Sequence, residues 1–388
     1  MNNVDEQYIA LLKDILANGK KKTTRAGEVL SVFGRQLKFN LQEGVALLTT
    51  KKVFTKGVLV ELLWFLQRPY NSHGSMNIRY LIENKVHIWD GDSYRWMKEW
   101  IKKEIIDRPT RSFKVQIVRG GDDELGEYVT KCPWKENGVN RDNDLEWLMN
   151  IDEGQFLELV MLKIELNVLC KDGKHTIYRF GDLGPVYGKQ WRSFGVSGTD
   201  QIQEIIKTLK TNPNDRRMVC MAYNPDVLKD VALPPCHVMM QFYTRPLTED
   251  ERVKIFKESY DWENDNWEEQ MNKRNIPKYG LSCMWTQRSV DVGAGLPFNC
   301  LSYTVLTYMI AKLVNMVPDK LVGSLGDTHI YMNHYDALKE QTTRNGSEKI
   351  PQLVIHGNQE RIEDFKIEDF EFIDYEPDPP IKLQLNVG

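Results

Sequence analysis

The sequence predicts a folded protein of mixed helices and strands, and three observations carry that expectation. Segments that read as helices alternate with segments that read as strands. Hydrophobic residues make up 41% of the 388 and aromatic residues 10%, a composition that builds a packed core. No internal repeat or low-complexity run interrupts the chain.

Residues 5–17 (DEQYIALLKDILA) carry apolar side chains at helical spacing and are followed by Gly19 and a basic turn. LSVFGRQLKFNL (30–41) reads as a strand. VLVELLWFLQR (58–68) is apolar on nearly every face, which predicts a buried helix. A polar, Trp-rich stretch runs from about 93 to 180, and SYRWMKEWIKKEI and LEWLMNIDEGQFLELVMLKIELNVL within it read as helical. Residues 202–217 form an amphipathic helix stopped by an Asn-Pro-Asn turn. VALPPCHVMMQFYT (231–244) is strand-like, and the charged stretch 246–280 reads as a solvated helical excursion. LSCMWTQRSVDV (281–292) returns to strand, and NCLSYTVLTYMIAKLVNMV (299–317) is a long buried helix. The expected organisation is one domain over residues 1–388, its core being 1–92, 181–245 and 281–388, with insertions at about 93–180 and 246–280.

The 51 basic and 55 acidic residues are well mixed and give a net charge of −4, which lacks the basic footprint of a dedicated nucleic-acid binder. No apolar run is long enough to span a membrane, and MNNVDEQYIA is too polar for a signal peptide. The six cysteines, at 132, 170, 220, 236, 283 and 300, include no CxxC spacing. Free thiols in a reducing cytoplasm are expected.

Cys236 is the candidate nucleophile. Two prolines precede it in LPPCH, fixing φ and removing two backbone donors where a side chain must be held at reacting distance. His237 is adjacent, but neighbouring residues of an extended segment point to opposite faces, so it is not the base for Cys236. A thiolate needs nearby positive charge, and Arg216-Arg217 or Arg288 are the candidates. In QRSVDVGAGLPFN (287–299), arginine beside serine suits a phosphate, the glycines admit a ligand close to the backbone, and Asn299 offers a donor and an acceptor to a pyrimidine edge. Glu61 stands in an apolar helix, where burial suits a carboxylate to proton shuttling. His329 and Tyr331, in LGDTHIYMNH, are placed to meet sugar hydroxyls.

ELLWFL, WD at 89–90, GDLGPVYGKQWR, DRR, LPPCH, QRSVD, GLPFN and GDTHIYMNH follow one another in the order found in the thymidylate synthase family, and the tail QLVIHGNQERIEDFKIEDFEFIDYEPDP is similar as well. The resemblance covers about two thirds of the chain once both excursions are set aside. It implies an α+β fold with a large twisted mixed β-sheet, helices on one face, and a homodimer packed through the other.

It further implies that Cys236 adds to C6 of dUMP, and that 5,10-methylenetetrahydrofolate, with no metal, delivers a one-carbon unit to C5. By the same resemblance Arg25, Gln287, Arg288 and Ser289 bind the nucleotide, and Arg216 and Arg217 are lent across the dimer interface to its phosphate. Asn299 matches the base-reading asparagine, His329 and Tyr331 the pair on the 3′-hydroxyl, and Glu61 with Tyr187 the proton relay. Trp89, Asp291, Gly295 and Phe298 fall where the family holds the folate, Asp291 with a share in catalysis.

Three departures bear on the product. Trp89-Asp-Gly-Asp92 lacks the second Trp of the usual W-D-x-W, although Trp96 is near enough to stand in. Ala294 replaces a larger apolar residue, and the chain ends Asn386-Val-Gly388 in place of an apolar cap. Each makes the cavity looser or wetter, and large insertions suit a phage enzyme. The expectation is therefore a bacteriophage-type dUMP 5-hydroxymethyltransferase, in which water quenches the exocyclic methylene; the alternative is a thymidylate synthase, in which a hydride does.

Overall fold

The computed structural model describes residues 1–68, 75–106, 113–119, 141–170, 175–260 and 267–384. They divide into two compact units: residues 1–67, 190–223 and 235–388 form the first, and 68–189 with 224–234 form the second.

The first unit opens with α1 (Asn3–Asn18), β1 (Lys20–Thr24), β2 (Gly27–Asn40) and α2 (Thr55–Leu66). The second contains α3 (Arg79–Glu83), α4 (Asp90–Ile101), β3 (Phe113–Arg119), α5 (Arg141–Asn150), α6 (Glu153–Met161), β4 (Ile164–Cys170) and β5 (His175–Arg179). α7 (Tyr187–Arg192) leads back to the first unit, which continues with α8 (Gln201–Thr211), β6 (Val219–Met221) and β7 (His237–Pro246). There follow α9 (Glu249–Ser259), α10 (Trp267–Lys273), β8 (Tyr279–Asp291), α11 (Gly295–Leu313), β9 (Val317–Tyr331), α12 (Tyr335–Gln341), β10 (Gln352–Ile355) and β11 (Phe370–Ile373).

The first unit is organised by a six-stranded sheet in the order β1-β2-β9-β8-β7-β6. β8 and β9 run parallel while the other neighbours are antiparallel, and a parallel pair requires a crossover, here α11. α11 is apolar almost all round and packs against β8, β9 and α2, so helix and sheet share one core. Trp285 projects from β8 into that core and lies over Gly323 of β9, where a Cβ would stand 2.5 Å from the indole. The α+β expectation is met.

Alternation along β7, β8 and β9 sends Met240, Phe242, Cys283, Trp285, Leu321 and Leu325 inward. Met239, Gln241, Tyr243, Met284 and Val322 face the other way and keep solvent exposure, Tyr243 at 63%. The excursion after β7 is helical, as its composition predicts. It also has a small core of its own, with Phe256, Met271 and Ile276 buried against Val253, Ile255 and Trp267.

In the second unit, 145–169 is not helical throughout. Asp152 accepts from Gln155 N in a capping box that starts α6, and after α6 the chain turns into β4. The helical reading fails beyond Leu162 because alternation through Ile164, Leu166 and Val168 suits a strand paired on both edges, by β3 and β5. Among the described residues no helix is long and apolar enough to cross a membrane.

Candidate active site

β7 begins at His237, so Pro234, Pro235 and Cys236 form a rigid lead-in to it. The pairing of β7 with β8 shifts between His237 and Met239, an irregularity that re-aims side chains next to the thiol. Arg288 on β8 spans the lead-in. Its backbone N–H donates to Cys236 O (2.8 Å), its Nε to Pro235 O (2.9 Å), and its Nη2 lies 3.8 Å from Cys236 Sγ. The Pro235 carbonyl therefore holds the guanidinium, which keeps positive charge against the sulfur, the arrangement that favours a thiolate. Cys220, Cys283 and Cys300 are buried free thiols, and burial pushes their pKa upward. Cys236 alone among the free cysteines described keeps partial exposure.

Arg288, not the Arg216-Arg217 pair, supplies charge to this chain's own thiol. Val219 pairs with Gln241 and Phe242 N donates to Met218 O, which sets Arg217 level with about Tyr243. That is seven residues along β7 from Cys236, or roughly 23 Å. Both arginines are exposed, and Asp215 holds Arg217 at 2.6 Å.

His237 is held by aromatic neighbours. Its Nδ1 lies 2.9 Å from Tyr303 Oη, and its ring is edge-on to Phe65 (6.3 Å) and Tyr303 (5.6 Å). The residue keeps some accessible surface, but burial of the ring pushes its pKa down to about 3. Glu61 is half-buried one helical turn before Phe65, so the two share a face of α2.

Asn299 lies in the first turn of α11. Its Nδ2 donates to Gln287 Oε1 (3.1 Å), which also accepts from Trp285 Nε1 (3.2 Å). Gln287, expected among the nucleotide ligands, is only 3% exposed, and its carbonyl oxygen fixes the Asn299 amide. Ser289 is level with Asp327 across β8 and β9. Asp327 accepts from Ser31 Oγ at 2.6 Å and from Lys22 at 3.1 Å, and lies 3.3 Å from His329 Nδ1. Burial works against the Asp327 charge, but Ser31 and Lys22 outweigh it and hold the carboxyl below its usual range.

Tyr331 reports the convergence of these groups. Burial raises its pKa, the negative charges of Asp291 and Cys236 raise it further, and Arg25 opposes them. Asp291 at the end of β8, Cys236 in the lead-in to β7 and Arg25 in the β1–β2 turn thus act on one hydroxyl, whose ring is edge-on to His329 at 5.3 Å. Asp291 Oδ1 accepts from Gly293 N (2.8 Å) and opens the turn into α11, where Gly295 and Phe298 retain partial exposure. Trp89 and Tyr187 belong to the second unit, where their rings meet edge to face at 6.0 Å.

Two residues of the first unit escaped sequence reasoning. Lys51 is 6% exposed, donates to Gly293 O, and has its pKa lowered to about 8 by burial, which Asp291 opposes. Arg192 has a fully enclosed guanidinium that binds Asp200 (2.9 Å), Glu363 and the Leu66 carbonyl, so it closes the C-terminal end of α2. Arg192 follows Trp191 directly in QWRSF, a charge beside a large apolar residue that could have served as a signal, whereas Lys51 sits between Thr50 and Lys52 in TTKKVF and offers none.

A thiol held by arginine on a mixed α+β sheet is a nucleophile with a preset environment, and comparison with known proteins assigns its class. The chain matches the thymidylate synthase family over residues 6–387. It is 36% identical over 400 aligned residues to a thymidylate synthase of Saccharomyces cerevisiae, covering 100% of this chain and 98% of that protein. It is 34% identical over 383 residues to a thymidylate synthase of Mycoplasma mobile, covering 98% and 100%. A thymidylate synthase of Listeria monocytogenes is 33% identical over 386 residues, also covering 98% and 100%. The protein is thus an enzyme of one-carbon transfer. It belongs to the thymidylate synthase family, whose co-substrate is methylenetetrahydrofolate.

Proposed function

We propose that the protein is a thymidylate synthase, converting dUMP to dTMP with release of dihydrofolate. The observation that carries this reading is near full-length similarity to proteins named thymidylate synthase, together with the Cys236, Arg288 and Asn299 constellation. It replaces the hydroxymethyltransferase expectation, which the relatives do not favour.

The departures that suggested a wet cavity also weaken on inspection of the folded chain. A Cβ on Gly293, next to Ala294, would meet Leu338 Cδ1 at 3.0 Å and Leu383 Cδ1 at 3.1 Å. Those leucines occupy space that small residues open, and His334 Nε2 bonds Gln384 O at 2.8 Å, seating this part of the tail. Trp96 is buried at 8% exposure in α4. The Asn386-Val-Gly388 end lies outside the described residues.

In this reading Arg288 keeps Cys236 as the thiolate that adds to C6, and Asn299 reads the pyrimidine amide edge. Glu61, with Tyr187, relays the protons that enolate formation and loss of the C5 hydrogen require. Arg25 and Ser289 join Arg288 at the phosphate, and His329 and Tyr331 take the 3′-hydroxyl. Asp291, Gly295, Phe298 and Trp89 hold the folate, which supplies the one-carbon unit and the hydride. Arg216 and Arg217 are too far along β7 for their own thiol, so they serve a second copy docked on the open sheet face. Partly exposed Met239, Gln241, Tyr243, Met284 and Val322 support that homodimer.

Purified protein with dUMP and methylenetetrahydrofolate tests the reaction. Growth of dihydrofolate absorbance in step with dTMP is expected. A hydroxymethylated product without dihydrofolate restores the alternative. Sedimentation of the free protein tests the dimer.

A further inference from the structure

His237 follows the nucleophile, yet it is neither base nor nucleotide ligand in the reading above. Its surroundings form a closed circuit. Tyr303 is 3% exposed, bonds His237 Nδ1 through its hydroxyl at 2.9 Å, and stacks on Trp285 at 5.3 Å with the planes 10° apart. Trp285 Nε1 donates to Gln287 Oε1, which receives Asn299 Nδ2 as well. Gln287 is the cross-strand partner of His237, which closes the loop.

Every group of the first unit assigned to bond-making or base-reading stands one step from that circuit. Cys236 is the covalent neighbour of His237. Asn299 is one helical turn before Tyr303 on α11, and Glu61 is one turn before Phe65, whose ring rests against His237. β7, α11 and α2 are thereby tied through one imidazole.

We infer that Tyr303 is a positioning residue: its hydroxyl donates to His237 Nδ1, holds the imidazole in the tautomer protonated at Nε2, and so fixes the plane from which Cys236 is presented. The inference rests on the reading of Cys236 and Asn299 just given. The direction of the bond follows from chemistry. A phenol delocalises its oxygen lone pair into the ring, which makes it a good donor and a poor acceptor, whereas an unprotonated imidazole nitrogen is a good acceptor. Burial that keeps His237 neutral leaves one of its two ring nitrogens unprotonated and so able to accept the phenol proton. A hydroxyl removed from this point leaves apolar packing intact but frees the imidazole to change tautomer and tilt. Misplacement of a nucleophile by a fraction of an ångström costs rate without costing affinity.

The test has two arms. In full-length protein labelled with ¹⁵N-histidine, long-range ¹H–¹⁵N spectra should give His237 an unprotonated Nδ1 and a protonated Nε2; an Nδ1–H signal overturns the inference. This arm needs neither substrate nor mutation, so it stands if the variant does not fold or if dUMP is not the substrate. In Tyr303→Phe, kcat should fall about tenfold while the dUMP dissociation constant changes less than about twofold, and His237 should show mixed tautomers. Unchanged kcat with an unchanged tautomer refutes it. So does a loss confined to nucleotide affinity. A wild-type protein inert toward dUMP, with the expected tautomer, would instead fault the proposed reaction.

Discussion

Two buried tyrosines show how differently the same side chain is used in the two units. Tyr303 in the first unit is 3% exposed, and its hydroxyl bonds His237. Tyr178 in the second is 2% exposed and stacks on Trp100 at 4.9 Å, and its hydroxyl has no hydrogen-bond partner among the described residues. Burial first, and the charge of Asp182 second, push the Tyr178 pKa well upward. One hydroxyl belongs to a circuit around a nucleophile, and the other is a burden carried for the sake of its ring. A buried polar atom therefore marks a site only when its partners lead to reactive groups.

The acids differ as well. Asp182 is enclosed in the second unit, accepts from Asn77 at 2.8 Å, and has its pKa raised to about 7 by burial, against the pull of Asn77 and Arg179. In the first unit, His237 is neutral through the working range and Arg288 is fixed by backbone acceptors. His237 thus keeps its protonation state through neutral pH, whereas Asp182 changes its own near pH 7.

The largest expected effect tests the nucleophile of the first unit. Cys236→Ala should abolish turnover, a loss on the order of 10⁴-fold or more, with dUMP binding retained in calorimetry. Turnover that survives would mean the nucleophile is elsewhere. Next in size is a pH effect confined to the second unit. The folded pKa of Asp182 is above the ordinary 3.8, so the folded state binds the extra proton and stability falls as pH rises from about 4 through about 7. The full effect is on the order of 4 kcal/mol. Asp182→Asn keeps the acceptor for Asn77 and should flatten thermal stability across that window; an unchanged slope would refute burial as its cause. Asn299→Asp should then shift preference toward dCMP by about a hundredfold in kcat/KM. Smallest is Tyr178→Phe, expected to be neutral or to stabilise by up to about 1 kcal/mol in a melting experiment. A clear loss of stability would reveal a partner for that hydroxyl and erase the contrast with Tyr303.

Much of the site was legible because its residues fall in short local motifs. LPPCH fixes Cys236 with its own prolines, QRSVD puts Arg288 and Ser289 on one strand, and GLPFN begins a helix. The circuit was not legible, since Trp285 and Tyr303 meet only when α11 folds back over β8. Nor was the full length of β9, because Pro318, Gly323 and Gly326 lower its strand propensity, while the structure uses Gly323 as the seat for Trp285. The strand β4 was hidden by apolar residues that suit either periodicity over so short a run.

The order of the sheet has a consequence for synthesis. β2 is made near the start of the chain, yet its partner on one side is β9, which emerges nearly three hundred residues later. At ribosomal speeds of roughly 5–20 residues per second, that edge waits on the order of 15–60 s. During the wait the β1–β2 ribbon exposes Val29, Leu30 and Val32, side chains destined for the core. The nascent chain is thus open to faulty edge pairing until its last third has left the exit tunnel, and chaperone supply, more than final stability, should govern yield.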